Sequence, residues 1–179
     1  MTIAWFSCGV TSAVACKIAL NSYPDTRLYY IDTGSQQEDS MRFLLECEKW
    51  YGKEITVLRN EEYRDHFEVI ERQEMICSNR VFYPCSYELK KRVRYRLEDE
   101  LKHWDGQVFG FDTSEKLRAR RFTEQNPNAK PLFPLIEHNL SKENAAFILH
   151  RAGIELPRQY RLGYRNNNCI GCVRGGMGY

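Results

Sequence analysis

The sequence predicts an α/β fold built on a mostly parallel sheet, and three observations carry that prediction. Short apolar runs recur at 3–6, 28–31, 55–58 and 108–111, the length and composition of buried strands. Stretches with helical periodicity separate them, the signature of βαβ units. Ser7, Asp32 and Arg59 all fall at the carboxyl ends of these strands, where such sheets receive ligands.

In chain order, the first strand leads through small residues into the helical run Ala13-Val14-Ala15-Cys16-Lys17-Ile18-Ala19-Leu20. The second ends in Asp32-Thr33-Gly34-Ser35. A helix follows with Met41, Phe43, Leu44, Leu45, Cys47 and Trp50 on a broad apolar face, and Gly52 stops it. After the third strand, 63–74 reads as a helix with Phe67, Val69 and Ile70 in the core. Residues 75–87 lack periodicity and read as a loop. A helix over 87–104 places Leu89, Val93, Leu97 and Leu101 four residues apart. Residues 124–130 are turn-like, 131–135 apolar and packed, and a helix opening at Ser141 ends at Gly153. The stretch 155–179 has few core residues, so it is expected to fold only against 1–154, the nucleotide-binding unit, or around an ion.

A chain of 179 residues with 42% hydrophobic and 28% charged residues suits one soluble domain. A net charge of +2 does not by itself demand a nucleic-acid partner. No apolar run is long enough to span a membrane, and the chain opens directly on a strand pattern rather than a signal peptide. Seven cysteines, an odd number, argue against a disulfide scaffold and for a reducing, cytoplasmic setting with some thiols on metal.

The turn Ser7-Cys8-Gly9-Val10-Thr11-Ser12 joins strand to helix. Such a turn gathers backbone N–H groups at a helix start and suits a phosphate, and three hydroxyls can add donors. Thr11 can also cap the helix. The spacing is neither that of a Walker loop nor that of a Gly-x-Gly-x-x-Gly turn. It resembles the Ser-Gly-Gly-x-Asp-Ser loop of PP-loop ATP pyrophosphatases and phosphoadenosine phosphosulfate (PAPS) reductases, with Cys8 at a family Gly and Thr11 at the Asp. Further segments resemble the PAPS reductases in the same order. Asp32-Thr33-Gly34 with Glu38 resembles their Asp-Thr-Gly segment. Cys85-Ser86-Tyr87-Glu88-Leu89-Lys90 resembles their Cys-Cys-x-x-x-Lys, with Pro84 at the first Cys. Gly110-Phe111 through Arg118 and Arg121 is similar to a Gly-x-Arg segment. Glu155-Leu156-Pro157 through Leu162-Gly163-Tyr164 to Cys169-Ile170-Gly171-Cys172 resembles the C-terminal region.

The resemblance implies an adenine-nucleotide α-hydrolase-like fold: a twisted five-stranded sheet with helices on both faces and a short cysteine-bearing tail. It implies that Ser7, Cys8, Gly9, Val10, Thr11 and Ser12 hold a phosphate or sulfate, and that Asp32, Thr33 and Gly34 meet the nucleotide. Arg118 and Arg121 would meet its anionic groups, and Lys90 would act on the substrate anion. Separately, Asp32 and Glu38 are candidates for Mg2+, the alternative for Asp32 being to fix the loop after its strand.

Cys169-x-x-Cys172 is the sharpest chemical feature, because two thiolates at that spacing grip a metal ion or one face of an iron–sulfur cluster. Gly171, Gly175 and Gly176 flank it with backbone freedom. With Cys85 it supplies three ligands to a 4Fe–4S cluster, leaving one iron open. The alternatives are four-thiolate zinc with Cys77, a redox pair, or plain thiols. Cys16 and Cys47 are expected in the core. Cys8 is either an acidified thiol or a small residue tolerated in a tight loop.

Lys90-Lys91-Arg92-Val93-Arg94-Tyr95-Arg96 is either a polyanion surface or a solvated face paired with Glu98, Asp99 and Glu100. Lys116, Arg118, Arg120 and Arg121 form a second basic cluster. Arg158, Arg161, Arg165 and Arg174 are candidates to close the pocket. His66, His103, His138 and His150 show no ligand spacing and are expected to be structural or exposed.

Two reactions fit the resemblance. One is reduction of PAPS or its unphosphorylated relative, with a thiol reductant. The reductases carry the nucleophilic Cys in a C-terminal Glu-Cys-Gly segment, which does not occur before Tyr179. The other is ATP-dependent thiolation of a tRNA or DNA base, a sulfurtransferase reaction with sulfur from the open iron. A non-catalytic nucleotide-binding module with a zinc knot is the third reading. A homodimer is compatible with all three.

Overall fold

The computed structural model describes residues 1–79 and 82–175. Gly176, counted above in the glycine flank of Cys172, lies outside them. Five strands form one all-parallel sheet: β1 (Thr2–Phe6), β2 (Arg27–Asp32), β3 (Ile55–Arg59), β4 (Gly106–Val108) and β5 (Pro131–Leu132). Their order is β3-β2-β1-β4-β5. The helices are α1 (Val10–Ser22), α2 (Asp39–Tyr51), α3 (His66–Gln73), α4 (Pro84–Ser86), α5 (Arg92–Leu101), α6 (Lys116–Gln125), α7 (Pro134–Glu137), α8 (Lys142–Arg151) and α9 (Arg158–Arg161). A π-helical turn, Tyr87–Lys91, joins α4 to α5.

β1 is buried at every position because it lies in the middle of the sheet with helices on both sides. Its alternation divides the core. Ala4 and Phe6 join Leu28, Tyr30 and Val108 beneath α1, α2 and α8, where Ala13, Phe43 and Leu149 are fully buried. Ile3 and Trp5 face the other way, with Tyr29 and with Leu97 of α5. A buried polar chain crosses that second face. Trp5 Nε1 donates to Gln107 Oε1 at 2.7 Å, and Gln107 Nε2 donates to Glu98 Oε1 at 2.7 Å. No helix among the described residues is long and apolar enough to cross a membrane.

Several sequence expectations hold. Gly52 ends α2 in the left-handed region at φ 66°, and Ser141 caps α8 through Asn144. Others shift. Helix α1 begins at Val10, so Thr11 and Ser12 sit in its first turn and Gly9, rather than Thr11, is the N-cap. β4 stops at Val108, and the chain then turns, with Phe111 N donating to Phe109 O at 3.0 Å. Phe109, Phe111, Phe122 and Phe133 gather there, the closest ring pair 4.6 Å apart. Phe67 is 58% exposed, since α3 turns His66 and Val69 inward instead. Residues 116–125 form a full helix despite their charge, with Ala119 as the buried contact.

The turn after β4 brings Gly110 against the first turn of α1. A Cβ at Gly110 would lie 2.6 Å from both Ser12 N and Ser12 Cα, so only glycine allows this approach. Gly110→Ala should lower unfolding free energy by about 1–3 kcal/mol, the usual cost of overpacking. Gly52→Ala, with open space around its Cβ position, should lose only about 1 kcal/mol for its left-handed backbone. Denaturant titration of both variants checks the difference, and equal losses would remove the steric argument.

Candidate nucleotide and thiol site

β1 sits between β2 and β4, so the chain leaves it in opposite directions and a crevice opens at its carboxyl end. The loop Ser7-Cys8-Gly9 lies in that crevice. Ser12 Oγ accepts from Ser7 N at 3.0 Å and from Gly9 N at 3.3 Å, meets Ser7 Oγ at 3.0 Å, and donates to Gly9 O. Val10 N donates to the hydroxyl of Tyr160 at 3.4 Å. The loop therefore holds its shape through its own hydroxyls and one tyrosine from the C-terminal segment. An incoming phosphate would exchange these partners for its oxygens.

Cys8 has φ 54°, the left-handed backbone for which glycine is the easiest residue. Its thiol points into the core toward Ser40 O, and burial pushes its pKa up to about 12. It is thus a packed thiol rather than an acidified one, which decides between the two sequence alternatives. Asp32 Oδ1 accepts from Gly34 N at 2.8 Å, which fixes the turn after β2. Gly34 is required there: φ is 68°, and a Cβ would lie 1.9 Å from Arg64 O.

Two hollows flank the loop. One, of about 270 Å3, is lined by Ser7, Gln36, Lys90, Arg94, Phe122 and Cys169 among others. Phe109 and Ile31 add apolar walls, Asn126 and Asn167 add amides, and Lys91 adds a cation. The wider one, of about 710 Å3, is lined by Val10, Thr11, Asp112, Lys142, Tyr160 and Arg165. Burial lowers the Lys142 pKa there, and its ammonium bonds Arg165 O and Asn166 Oδ1.

The basic run on 90–96 does not act as one face. Lys90, Lys91 and Arg94 turn into the smaller hollow. Arg92 instead pairs with Glu62 and Glu88. Arg94 is only 8% exposed; its guanidinium donates to Asn126 Oδ1 at 2.8 Å and stacks over Tyr95 and Phe122. Arg118 pairs with Glu115 and lies over Phe111, and neither it nor Arg121 lines either hollow. Arg158 and Arg161 border a separate depression with Glu38, Asp39 and Ile170, and Arg174 stacks on Tyr83. Of the tail arginines, only Arg165 lines one of the two hollows.

The C-terminal segment is stitched across the crevice. Asn167 Nδ2 donates to Cys8 O at 2.8 Å and to Ser40 Oγ at 3.0 Å. Cys169 Sγ lies 3.2 Å from Thr33 Oγ1, and Ile170 N donates to Ser35 O at 2.7 Å. Cys85, Cys169 and Cys172 are free, half-buried thiols, whereas Cys77 is exposed. Burial, and then the charges of Cys169 and Cys172, push the Cys85 thiol up, while Lys90 opposes the rise. Among the described residues, no three His, Cys, Asp or Glu side chains converge at single-ion distance. Periodicity did not reveal Gln36, Phe122, Asn126, Tyr160 or Asn167 as site residues, because each reaches the crevice through tertiary packing.

No family model matches the chain, and none of the curated proteins matches it. A solved structure does: phosphoadenylyl-sulfate (PAPS) reductase from Candida auris, in its phosphate complex. It aligns with a TM-score of 0.69 over 96% of this chain and 82% of that one, at 14% identity. The chain has the PAPS reductase fold, and its parallel five-stranded sheet is the one that the resemblance to the PP-loop superfamily implies.

Burial also raises the thiols of Cys16 and Cys47, the latter to about 12. The folded chain keeps these protons, and that of Cys8, after the unfolded chain has released them. Their contribution to stability is complete below the ordinary thiol pKa of about 8.5 and falls as pH rises above it, by up to ~1.4 kcal/mol per thiol per pH unit. Denaturation curves between pH 8 and pH 11 should show that decline, and substituting Cys16→Ala should shallow it. An unchanged slope would refute it.

Proposed function

We propose that this chain is a PAPS-reductase-like enzyme that binds an adenine nucleotide beside the β1 loop and performs sulfur chemistry at a 4Fe–4S centre on Cys85, Cys169 and Cys172. The observation that carries the reading is the hollow of about 270 Å3 that brings Ser7, Lys90 and Cys169 together from three distant parts of the chain. Its apolar walls suit a base, and its cations and amides suit a polyanion.

In the reductase course, the thiolate of a thiol reductant attacks the sulfonate sulfur of PAPS. An S–S bond forms, the S–O bond to the phosphate breaks, and the nucleotide leaves. A second thiol then frees sulfite and leaves a disulfide, so two thiols are oxidised as sulfur is reduced. Lys90 and Arg94 would hold the anionic end, and Lys90 would offset charge developing on the leaving phosphate. Ser7 and the α1 N-terminus would bind phosphate oxygens. Asp32 acts by holding the Thr33-Gly34 turn, whose backbone would meet the nucleotide.

ATP-dependent thiolation of a tRNA or DNA base is the second reading, favoured by the count of three cysteines, Cys85, Cys169 and Cys172. There Cys85, Cys169 and Cys172 would hold the cluster, which would supply sulfur at an iron without a protein ligand. Four-thiolate zinc with Cys77 is less favoured, because Cys77 is exposed. A cytoplasmic enzyme would keep all seven thiols reduced.

Sulfite release from PAPS with a thiol reductant, measured beside pyrophosphate release from ATP with and without RNA or DNA, tests the reading. Lys90→Ala should lower kcat/KM at least tenfold, about 1.4 kcal/mol of transition-state stabilisation. Ser7→Ala should weaken nucleotide binding several-fold by calorimetry. Failure of the wild-type chain to bind either nucleotide would overturn the proposal. Cys169→Ser should lose iron, and full retention would remove Cys169 as a ligand.

A further inference from the structure

His66 is the first residue of α3 and only 3% exposed, and the chemistry above makes no use of it. Its Nδ1 lies 2.7 Å from Ser35 Oγ. That hydroxyl also accepts the His66 amide N–H at 3.0 Å and donates to Thr33 O at 3.3 Å. A carbonyl can only accept, so with the hydroxyl proton assigned to Thr33 O, Nδ1 is the donor and Nε2 carries the lone pair. It is buried and has no hydrogen-bond partner among the described residues. An orphaned polar atom in a native interior calls for a missing partner, a water or an ion.

What faces Nε2 is the cysteine turn. A Cβ built on Gly171, between Cys169 and Cys172, would lie 3.9 Å from it and 3.4 Å from Phe67 Cζ. The Phe67 ring stacks on the imidazole at 4.0 Å. One loop holds all the parts. Thr33 touches Cys169, the Ser35 carbonyl holds Ile170, and the Ser35 hydroxyl orients His66. A histidine whose one ring nitrogen is anchored by a hydrogen bond and whose other is bare is prepared as a metal ligand.

We propose that His66, through Nε2, is the fourth protein ligand of the 4Fe–4S centre on Cys85, Cys169 and Cys172. The inference rests on the cluster reading above and deepens it. His66 takes the iron that the cysteines leave, which favours the reductase course over one that needs an open iron.

The test uses the full chain labelled with 15N-histidine, purified and reconstituted without oxygen. Iron and acid-labile sulfide are measured, and pulsed EPR is recorded on the reduced protein. The expected result is about four irons with a nitrogen coupling that changes with the label, lost in His66→Ala. His66→Cys should keep the iron and lose the coupling. A loaded cluster with no histidine nitrogen coupling in the wild-type chain would overturn the role of His66 and leave the cluster reading standing. Zinc alone, or no metal, in the wild-type chain would overturn both. The wild-type measurement needs no variant, so misfolding of His66→Ala cannot obscure the outcome.

Discussion

The approach of the α1 N-terminus to Gly110 is the contact on which the site depends. β1 is the strand from which the chain departs to both sides, and the ends of β1 and β4 must part to leave a crevice. Gly110 lets the two backbones meet at a distance that no side chain permits. The aromatic group of Phe109, Phe111, Phe122 and Phe133 then packs behind the turn, and Ser12 closes the β1 loop from within. The shape of the β1 loop, the aromatic wall and the position of the α1 N-terminus are consequences of one tight crossing.

The C-terminal segment completes that crevice. Its partners lie far away in sequence: Val10 for Tyr160, Cys8 and Ser40 for Asn167, Thr33 and Ser35 for the cysteine turn. These are mostly backbone and hydroxyl contacts rather than apolar burial, so the segment is ordered by satisfying polar groups that the crevice would otherwise leave unpaired. The turn over 33–35 meets both Cys169 and Ile170, and it tolerates little change because Gly34 has no room for a side chain.

Charge on this surface is divided by neighbours rather than by sequence. Within one basic run, Arg92 goes to carboxylates while Lys90, Lys91 and Arg94 turn inward. Arg94 is positioned through Glu98, which Gln107 and Trp5 tie to the sheet. A cation held by stacking and a buried amide chain costs less to orient when an anion arrives.

Alternation of apolar runs determined the parallel α/β fold, and Gly52, Ser141 and Gly153 marked helix ends, because periodicity and caps are local properties. The segments at Ser7, Lys90 and Cys169 were legible as motifs, and the smaller hollow brings the three together. What the sequence could not decide was orientation. Phe67 and His66 are adjacent, and only packing shows that the histidine goes inside. Residues 124–130 read as a polar turn, yet Gln125 and Asn126 line the hollow, while Arg118, expected at an anion, turns to Glu115. Cys8 and Cys169 are both thiols beside small residues, and only burial separates a core thiol from one that lines the cavity. Local pattern specifies which elements form, whereas the direction of each side chain depends on neighbours that only the tertiary fold supplies.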